Sequence, residues 1–194
     1  KGAWYDGRLN GAFNLFRTIQ KDQAQTDFNS SCPSSDGYCY VNAGRVRAQG
    51  FEAELSGEVI ERLQLLAGYT YTQSKYIGGE QKGEDFNGAS PRHLFKVATD
   101  YRLPGTLNQL RVGGSFYAQS KMTQTEVGKD YKIRQDAYHL TNLHAIYEIS
   151  RNLELQYNLD NVFDKKYYQT LGNTNYWNFY GEPRNFNVAL RAKF

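Results

Sequence analysis

Long apolar runs are missing from this chain. The longest stretch drawn only from Ala, Val, Ile, Leu, Met, Phe, Trp, Tyr and Cys is four residues, Tyr38 to Val41. A membrane-spanning helix needs about 20 such residues, so none is encoded in these 194 residues, and the mean hydropathy is only −0.71. Proline is scarce, 4 residues against 18 Gly, which suits strands that twist and whose hydrogen-bond ladders must not be interrupted. Charge of one sign is also lacking: the formal net charge is +3 and Lys and Arg form no block, which excludes a nucleic-acid-binding class. A starting Met and a signal-like apolar segment are both missing; for an exported protein this implies processing or truncation. What the chain has in quantity is aromatic side chains, 16 Tyr and 11 Phe against one Met, residues that favour strands and gather at membrane interfaces.

The last nine residues alternate without a break. Phe186, Val188, Leu190, Ala192 and Phe194 share one face, and Asn187, Ala189, Arg191 and Lys193 the other. Such a strand fits the wall of an outer-membrane β-barrel, lipid on one side and water on the other, or one sheet of a soluble sandwich. The upstream sequence repeats the pattern. Strands are expected at about 2–5, 8–23, 43–57, 63–76, 91–103, 109–121, a segment holding Leu143, Ala145, Tyr147 and Ile149, 153–168 and 186–194. Short turns at Asp6-Gly7, Glu58 to Arg62, Pro104-Gly105 and Ser150 to Asn152 alternate with long polar connections at 26–42, 77–90, 122–132 and 169–183. Short turns on one rim and long loops on the other match the periplasmic and extracellular ends of an all-β, antiparallel transmembrane barrel. A face made of Phe51, Leu55, Leu65, Tyr69, Phe95, Val97, Phe116, Tyr147, Leu155, Val188 and Leu190 is assigned to lipid. Length alone leaves a small closed barrel of about eight strands open.

Three groups of residues bear on chemistry. Cys32 and Cys39 lie in the first long polar stretch; a close pair in an exported loop is expected to form a local disulfide, and without a nearby His it makes a poor metal site. The three histidines are scattered. His139 and His144 fall on opposite faces, and only His93 or His144 is expected to reach the lumen beside a Ser or carboxylate, which argues against a hydrolytic triad. The last loop packs Tyr176, Trp177, Phe179 and Tyr180 into five residues, too many rings for a purely solvated loop, and either a binding surface or an interfacial girdle accounts for them.

The stretch Asn158-Leu-Asp-Asn-Val-Phe-Asp-Lys-Lys-Tyr-Tyr168, followed by Tyr180-Gly-Glu-Pro-Arg-Asn-Phe186 and a strand ending on Phe194, resembles the C-terminus of TonB-dependent siderophore receptors. Tyr5 to Asn10, Val46 to Gly57, Leu65 to Thr72, Ser90 to Leu94 and Tyr101 to Gly105 resemble successive barrel hairpins of that family, nearest to its ferric hydroxamate, coprogen and pyoverdine receptors. The resemblance implies a non-enzymatic receptor of the Gram-negative outer membrane that imports a ferric siderophore, with no intrinsic cofactor and no metal ligated by the protein. It implies that residues 1–194 are the C-terminal segment of a 22-stranded barrel, with the plug domain and its TonB-grasped segment absent from this chain. Implied partners are the ferric siderophore, TonB, outer-membrane lipid and lipopolysaccharide, and the barrel-assembly machinery through the last strand. In such receptors aromatic side chains line the extracellular vestibule, which makes Tyr176, Trp177, Phe179 and Tyr180 the candidate siderophore contacts. Asn161, Asp164 and Arg184 are expected to hold the wall together, with Arg184 in reach of Glu52 or Glu54. The alternatives are a TonB-dependent carrier of haem, cobalamin or a glycan, and a passive porin-like barrel.

Overall fold

Residues 1–22, 24–27, 39–42, 44–79, 81–125, 132–172 and 176–193 are described by a computed structural model, and side chains at 25–27, 41 and 125 are not. In chain order the strands are β1 (Gly2–Trp4), β2 (Leu9–Gln20), β3 (Ala24–Asp27), β4 (Cys39–Asn42), β5 (Val46–Ile60), β6 (Leu63–Tyr76), β7 (His93–Arg102), β8 (Leu110–Gln119), β9 (Met122–Thr125), β10 (Lys132–Gln135), β11 (Tyr138–Ser150), β12 (Leu153–Asp160), β13 (Tyr168–Thr170), β14 (Phe179–Tyr180) and β15 (Asn185–Ala192). Nine of them form one antiparallel sheet in the order β1-β2-β5-β6-β7-β8-β11-β12-β15. The other six pair as three short hairpins, β3 with β4, β9 with β10 and β13 with β14. Each hairpin is inserted in a long connection, so all three stand at the same rim.

Directly paired residues of a sheet point the same way, and the register therefore tests the lipid-face assignment. One row runs Leu9, Gly57, Leu65, Thr99, Gly114, Leu143, Leu159, Phe186 through eight strands. Others run Leu55, Ala67, Val97, Phe116 and Leu110, Tyr147, Leu155, Leu190. Every residue assigned to lipid falls on this one face. No second sheet covers it among the described residues: Leu15 is 76% and Leu190 64% exposed. A contiguous apolar face of that extent, bare in a single-layer wall, fits lipid and not water.

The opposite face is polar and tied by ion pairs near the short-turn rim. Arg102 donates from both terminal nitrogens to Glu148, at 2.6 and 3.1 Å. His144 Nε2 lies 3.1 Å from Asp100 Oδ2, and Arg191 donates to Glu154 at 2.8 Å. Arg111 stands directly opposite Arg102 and approaches Asp100 and Glu148 at 3.8 and 3.9 Å. Such half-exposed pairs contribute about 1 kcal/mol or less each; together they make this face a hydrophilic one.

Several expectations are corrected. β5 runs on to Ile60 through an irregularity between Glu58 and Ile60, so the tight turn is Glu61-Arg62 alone, with Arg62 at φ 69°. Pro104 and Gly105 lead into a single 3-10 turn, Gly105–Leu107. The strand expected to reach Tyr168 stops at Asp160, because Asn161 and Asp164 adopt φ of 48° and 51°, outside any strand conformation. His93 does not face the lumen: it pairs with Tyr71 on the apolar face, where its Nδ1 is 2.7 Å from the Tyr69 hydroxyl. Arg184 makes no ion pair with Glu52 or Glu54 among the described residues; its backbone N–H donates to Asp164 at 3.0 Å.

Candidate ligand-binding rim

The long-loop rim is built on a clasp. Asn161 is 4% exposed, and its side chain accepts from the Lys165 N–H at 2.8 Å while its amide donates to the carbonyls of Lys165 and Glu182 at 2.9 and 3.0 Å. Its own N–H donates to Asn142 Oδ1 on β11. Asp164 holds the Arg184 N–H from the same turn. Residues 161–165 and 182–184, the two ends of the last long loop, are thereby bonded to each other and to the wall. Phe163, 70% exposed, lies edge-on to His139 at 6.4 Å and so packs toward the apolar face without belonging to a strand.

Above the clasp the loop presents rings. Tyr168 and Tyr180 are paired residues of β13 and β14; their rings stack at 4.4 Å and their hydroxyls are 2.9 Å apart. That shared hydrogen bond pushes the Tyr168 phenol above its ordinary pKa. Trp177, at φ 68°, stands edge-on to Phe179 at 6.3 Å. Tyr176, Trp177, Phe179 and Tyr180 are between 55% and 70% exposed. Three of the four fall in two ring pairs, Tyr180 stacked on Tyr168 and Trp177 against Phe179.

A second aromatic group lies just below, on the polar face, and sequence reasoning missed it. Tyr138 is 6% exposed, 4.5 Å from the Tyr167 ring and 6.0 Å from that of Tyr117. The Tyr117 hydroxyl donates to Gln119 at 2.6 Å, and Lys96 Nζ sits 5.8 Å over the Tyr117 ring. Gly181 makes room for Tyr167: a side chain there would meet its ring. The available signal was parity, because Tyr117 falls between Ser115 and Gln119 on the polar face of β8 at its long-loop end.

Neighbouring loops are tied in sequence around the rim. Ile77 N–H donates to the Arg45 carbonyl at 2.7 Å, Thr123 N–H to the Gly88 carbonyl at 2.7 Å, and Tyr168 N–H to Gln135 Oε1 at 2.7 Å. Within the second loop Arg92 holds both oxygens of Asp85. Cys39 begins β4 and is disulfide-bonded; Cys32, the chain's other cysteine, lies outside the described residues. Among the described residues no group of three or more His, Cys, Asp or Glu is placed to hold a metal ion.

A nine-stranded wall with one lipid-facing and one polar side, short turns at one rim and braced aromatic loops at the other, has close counterparts. Residues 1–162 match the family described as TonB dependent receptor-like, beta-barrel. The chain is 48% identical over 198 residues to the ferric-pyoverdine M114 receptor PbuA of Pseudomonas sp. (strain M114), a match covering all of this chain and 23% of that protein. It is 33% identical to the ferripyoverdine receptor of Pseudomonas aeruginosa, again over all of this chain and 24% of the relative. The structure of the pyoverdine outer membrane receptor FpvA from Pseudomonas aeruginosa PAO1 bound to pyoverdine superposes with a TM-score of 0.86 at 32% identity, covering 100% of this chain and 28% of that one. The chain thus spans about a quarter of the length of these relatives. It belongs to the TonB dependent receptor-like β-barrel family, and its nine strands are wall of an outer-membrane barrel.

Proposed function

We propose that these residues form the C-terminal segment of a 22-stranded receptor barrel that binds a ferric siderophore outside the cell and imports it. The observation that carries this reading is the 48% identity to a ferric-pyoverdine receptor along the whole chain, rim loops included. A pyoverdine-type chelate is the cargo favoured over haem, cobalamin or a glycan, and no bound cofactor is required. The siderophore binds at the long-loop rim, where Trp177, Phe179, Tyr176 and the Tyr168–Tyr180 pair offer stacking area and phenol donors to a bulky chelate whose iron is already ligated. Energised TonB then acts through a plug domain supplied by the rest of the receptor, and the polar face of this wall faces that plug. The last strand, β15, is the element offered to the barrel-assembly machinery. Porin-like leakage is the contrary reading.

The test is equilibrium binding of ferric pyoverdine to the complete receptor, read by fluorescence quenching, beside iron-loaded hydroxamates, catecholates, haem and cobalamin. Replacing Trp177 and Tyr180 together by Ala removes stacking contacts of about 0.5–1.5 kcal/mol each, so affinity is expected to fall by about tenfold or somewhat more. Unchanged affinity in a correctly assembled double variant would take this loop out of the site. No affinity for any chelate, with open conductance in planar bilayers, would favour a porin.

A further inference from the structure

Of the rings at the long-loop rim, one pair stands on a foundation of its own. Tyr168 and Tyr180 are register partners of β13 and β14, stacked at 4.4 Å with their hydroxyls 2.9 Å apart. The ladder goes one pair further, because the Gly181 N–H donates to the Tyr167 carbonyl at 3.0 Å. Neighbouring pairs of a two-stranded ladder project to opposite faces, so the Tyr167 ring leaves the hairpin on the side away from the Tyr168–Tyr180 stack. Gly181 brings no side chain to that side, and a Cβ there would collide with the Tyr167 ring. The ring is thus laid across the hairpin backbone at the glycine.

On its other side stands Tyr138, the first residue of β11, whose ring is 4.5 Å from that of Tyr167. Tyr138 is itself wedged: its register partner Gln119 is buried and accepts the Tyr117 hydroxyl at 2.6 Å, and the Tyr117 ring is 6.0 Å from that of Tyr138. A second fixture acts on the backbone. Gln135, the last residue of β10, donates from Nε2 to the Asp136 carbonyl at 2.8 Å and accepts at Oε1 from the Tyr168 N–H at 2.7 Å. Exposure separates two roles: Tyr180 is 70% exposed and open to a ligand, whereas Tyr138 at 6% and Gln135 at 9% are covered by protein. Both covered residues act on the hairpin end from which the two phenols rise. Rings ordered before a ligand arrives spare the entropy of fixing them at binding, so a support that never meets the ligand still governs how tightly it is held.

We propose that Tyr138 and Gln135 are positioning residues for ligand capture: Tyr138 through the Tyr167 ring, and Gln135 through the Tyr168 N–H, fix the Tyr168–Tyr180 pair in the orientation that meets the chelate. This role rests on the reading of the rim as the ferric-siderophore site. The Trp177–Phe179 contact belongs to the same loop and supplies the comparison.

The experiment has a ligand-free arm and a binding arm, both on the complete receptor, with heat-modifiable gel mobility confirming that each variant is a folded barrel. In the first arm 3-fluorotyrosine replaces Tyr168, and its fluorine resonance reports the surroundings of that ring. Tyr138→Leu and Gln135→Leu are each expected to shift or broaden the resonance. Tyr138→Phe and Gln135→Glu, which keep the ring and the acceptor, are expected to restore it, and Trp177→Ala to leave it in place. In the second arm ferric-pyoverdine affinity is expected to fall about threefold to tenfold in Tyr138→Leu, the worth of one aromatic contact, and to recover most of that loss in Tyr138→Phe. Added to Tyr180→Ala, Tyr138→Leu is expected to cost less than about twofold more, whereas added to Trp177→Ala it costs its full effect. An unmoved resonance or unchanged affinity in both leucine variants, or full additivity of Tyr138→Leu with Tyr180→Ala, overturns the positioning role. A wild-type receptor without affinity for ferric pyoverdine overturns the receptor reading instead, and the fluorine signal then still decides whether Tyr138 and Gln135 hold the pair.

Discussion

Asn161 concentrates several constraints in one side chain. It must adopt a left-handed φ of 48°, which Asn tolerates better than most residues, and it uses both its oxygen and its nitrogen while almost wholly buried. An aspartate would keep the acceptor and lose both donations; alanine would leave the Lys165 and Glu182 carbonyls and the Lys165 N–H short of partners. Asn161→Ala is therefore expected to destabilise the complete barrel by about 2–3 kcal/mol, measured by denaturant unfolding, with Asn161→Asp intermediate. Wild-type stability in the alanine variant would mean that the clasp is not what holds the loop ends. The sequence made Asn161 and Asp164 conspicuous but not their conformation. The alternation lapses at Asp160-Asn161 and again at Val162-Phe163, which signals the end of the strand, but nothing in the sequence reports that φ changes sign at residue 161.

At the scale of the element, the strands were legible and the rim hairpins were not, for one physical reason. A wall strand separates lipid from a polar interior, so its side chains alternate; the register of β12 and β15 follows that alternation residue by residue, Leu155 with Leu190 and Asn158 with Asn187. The hairpins β3/β4, β9/β10 and β13/β14 lie in the long connections outside the nine-stranded sheet and have only two to four residues per strand, too few for an alternation to show, so their sequences read as loops. Orientation within the wall is testable at β15. Leu190→Arg places a charge against lipid at a cost of about 2–4 kcal/mol near the midplane, whereas Asn187→Arg adds a charge to the polar face; folding of the complete barrel into bilayers is expected to suffer only from the first. Equal tolerance would show that β15 is reversed. In the first loop Cys39 is disulfide-bonded, and Cys32 is its expected partner, a pairing that would close a short ring worth about 2–3 kcal/mol of local chain entropy. Neither thiol is expected to react with maleimide before reduction, and labelling of both without reductant would refute the pairing.

The whole molecule is a wall whose outer rim is braced loop to loop. The apolar face and the ladders account for stability in the membrane, and the ties Arg45 to Ile77, Gly88 to Thr123 and Gln135 to Tyr168 account for how four connections hold their aromatic side chains in place. None of those ties was readable from sequence: two join separate loops through backbone groups that every residue carries, and the third sets the Gln135 side chain against the Tyr168 N–H of a loop far along the chain. Gly88 is the exception in retrospect: a side chain at that position would collide with the Thr123 carbonyl, so only glycine permits the approach. Gly88→Val is accordingly expected to break the 2.7 Å bond between Thr123 N–H and the Gly88 carbonyl and to part the second loop from β9, where Met122 is 4% exposed. Because none of the wall ladders passes through residue 88, heat-modifiable mobility of the complete receptor should be unchanged. Limited proteolysis on intact cells should cut faster within 77–92, and ferric-pyoverdine affinity should fall as the rim loses its preorganised shape. Gly68→Ala serves as the control, for it adds a methyl into open space on the polar face. If Gly88→Val leaves both cleavage and affinity at wild-type values, the loops act independently and preorganisation of the rim must lie within each loop alone.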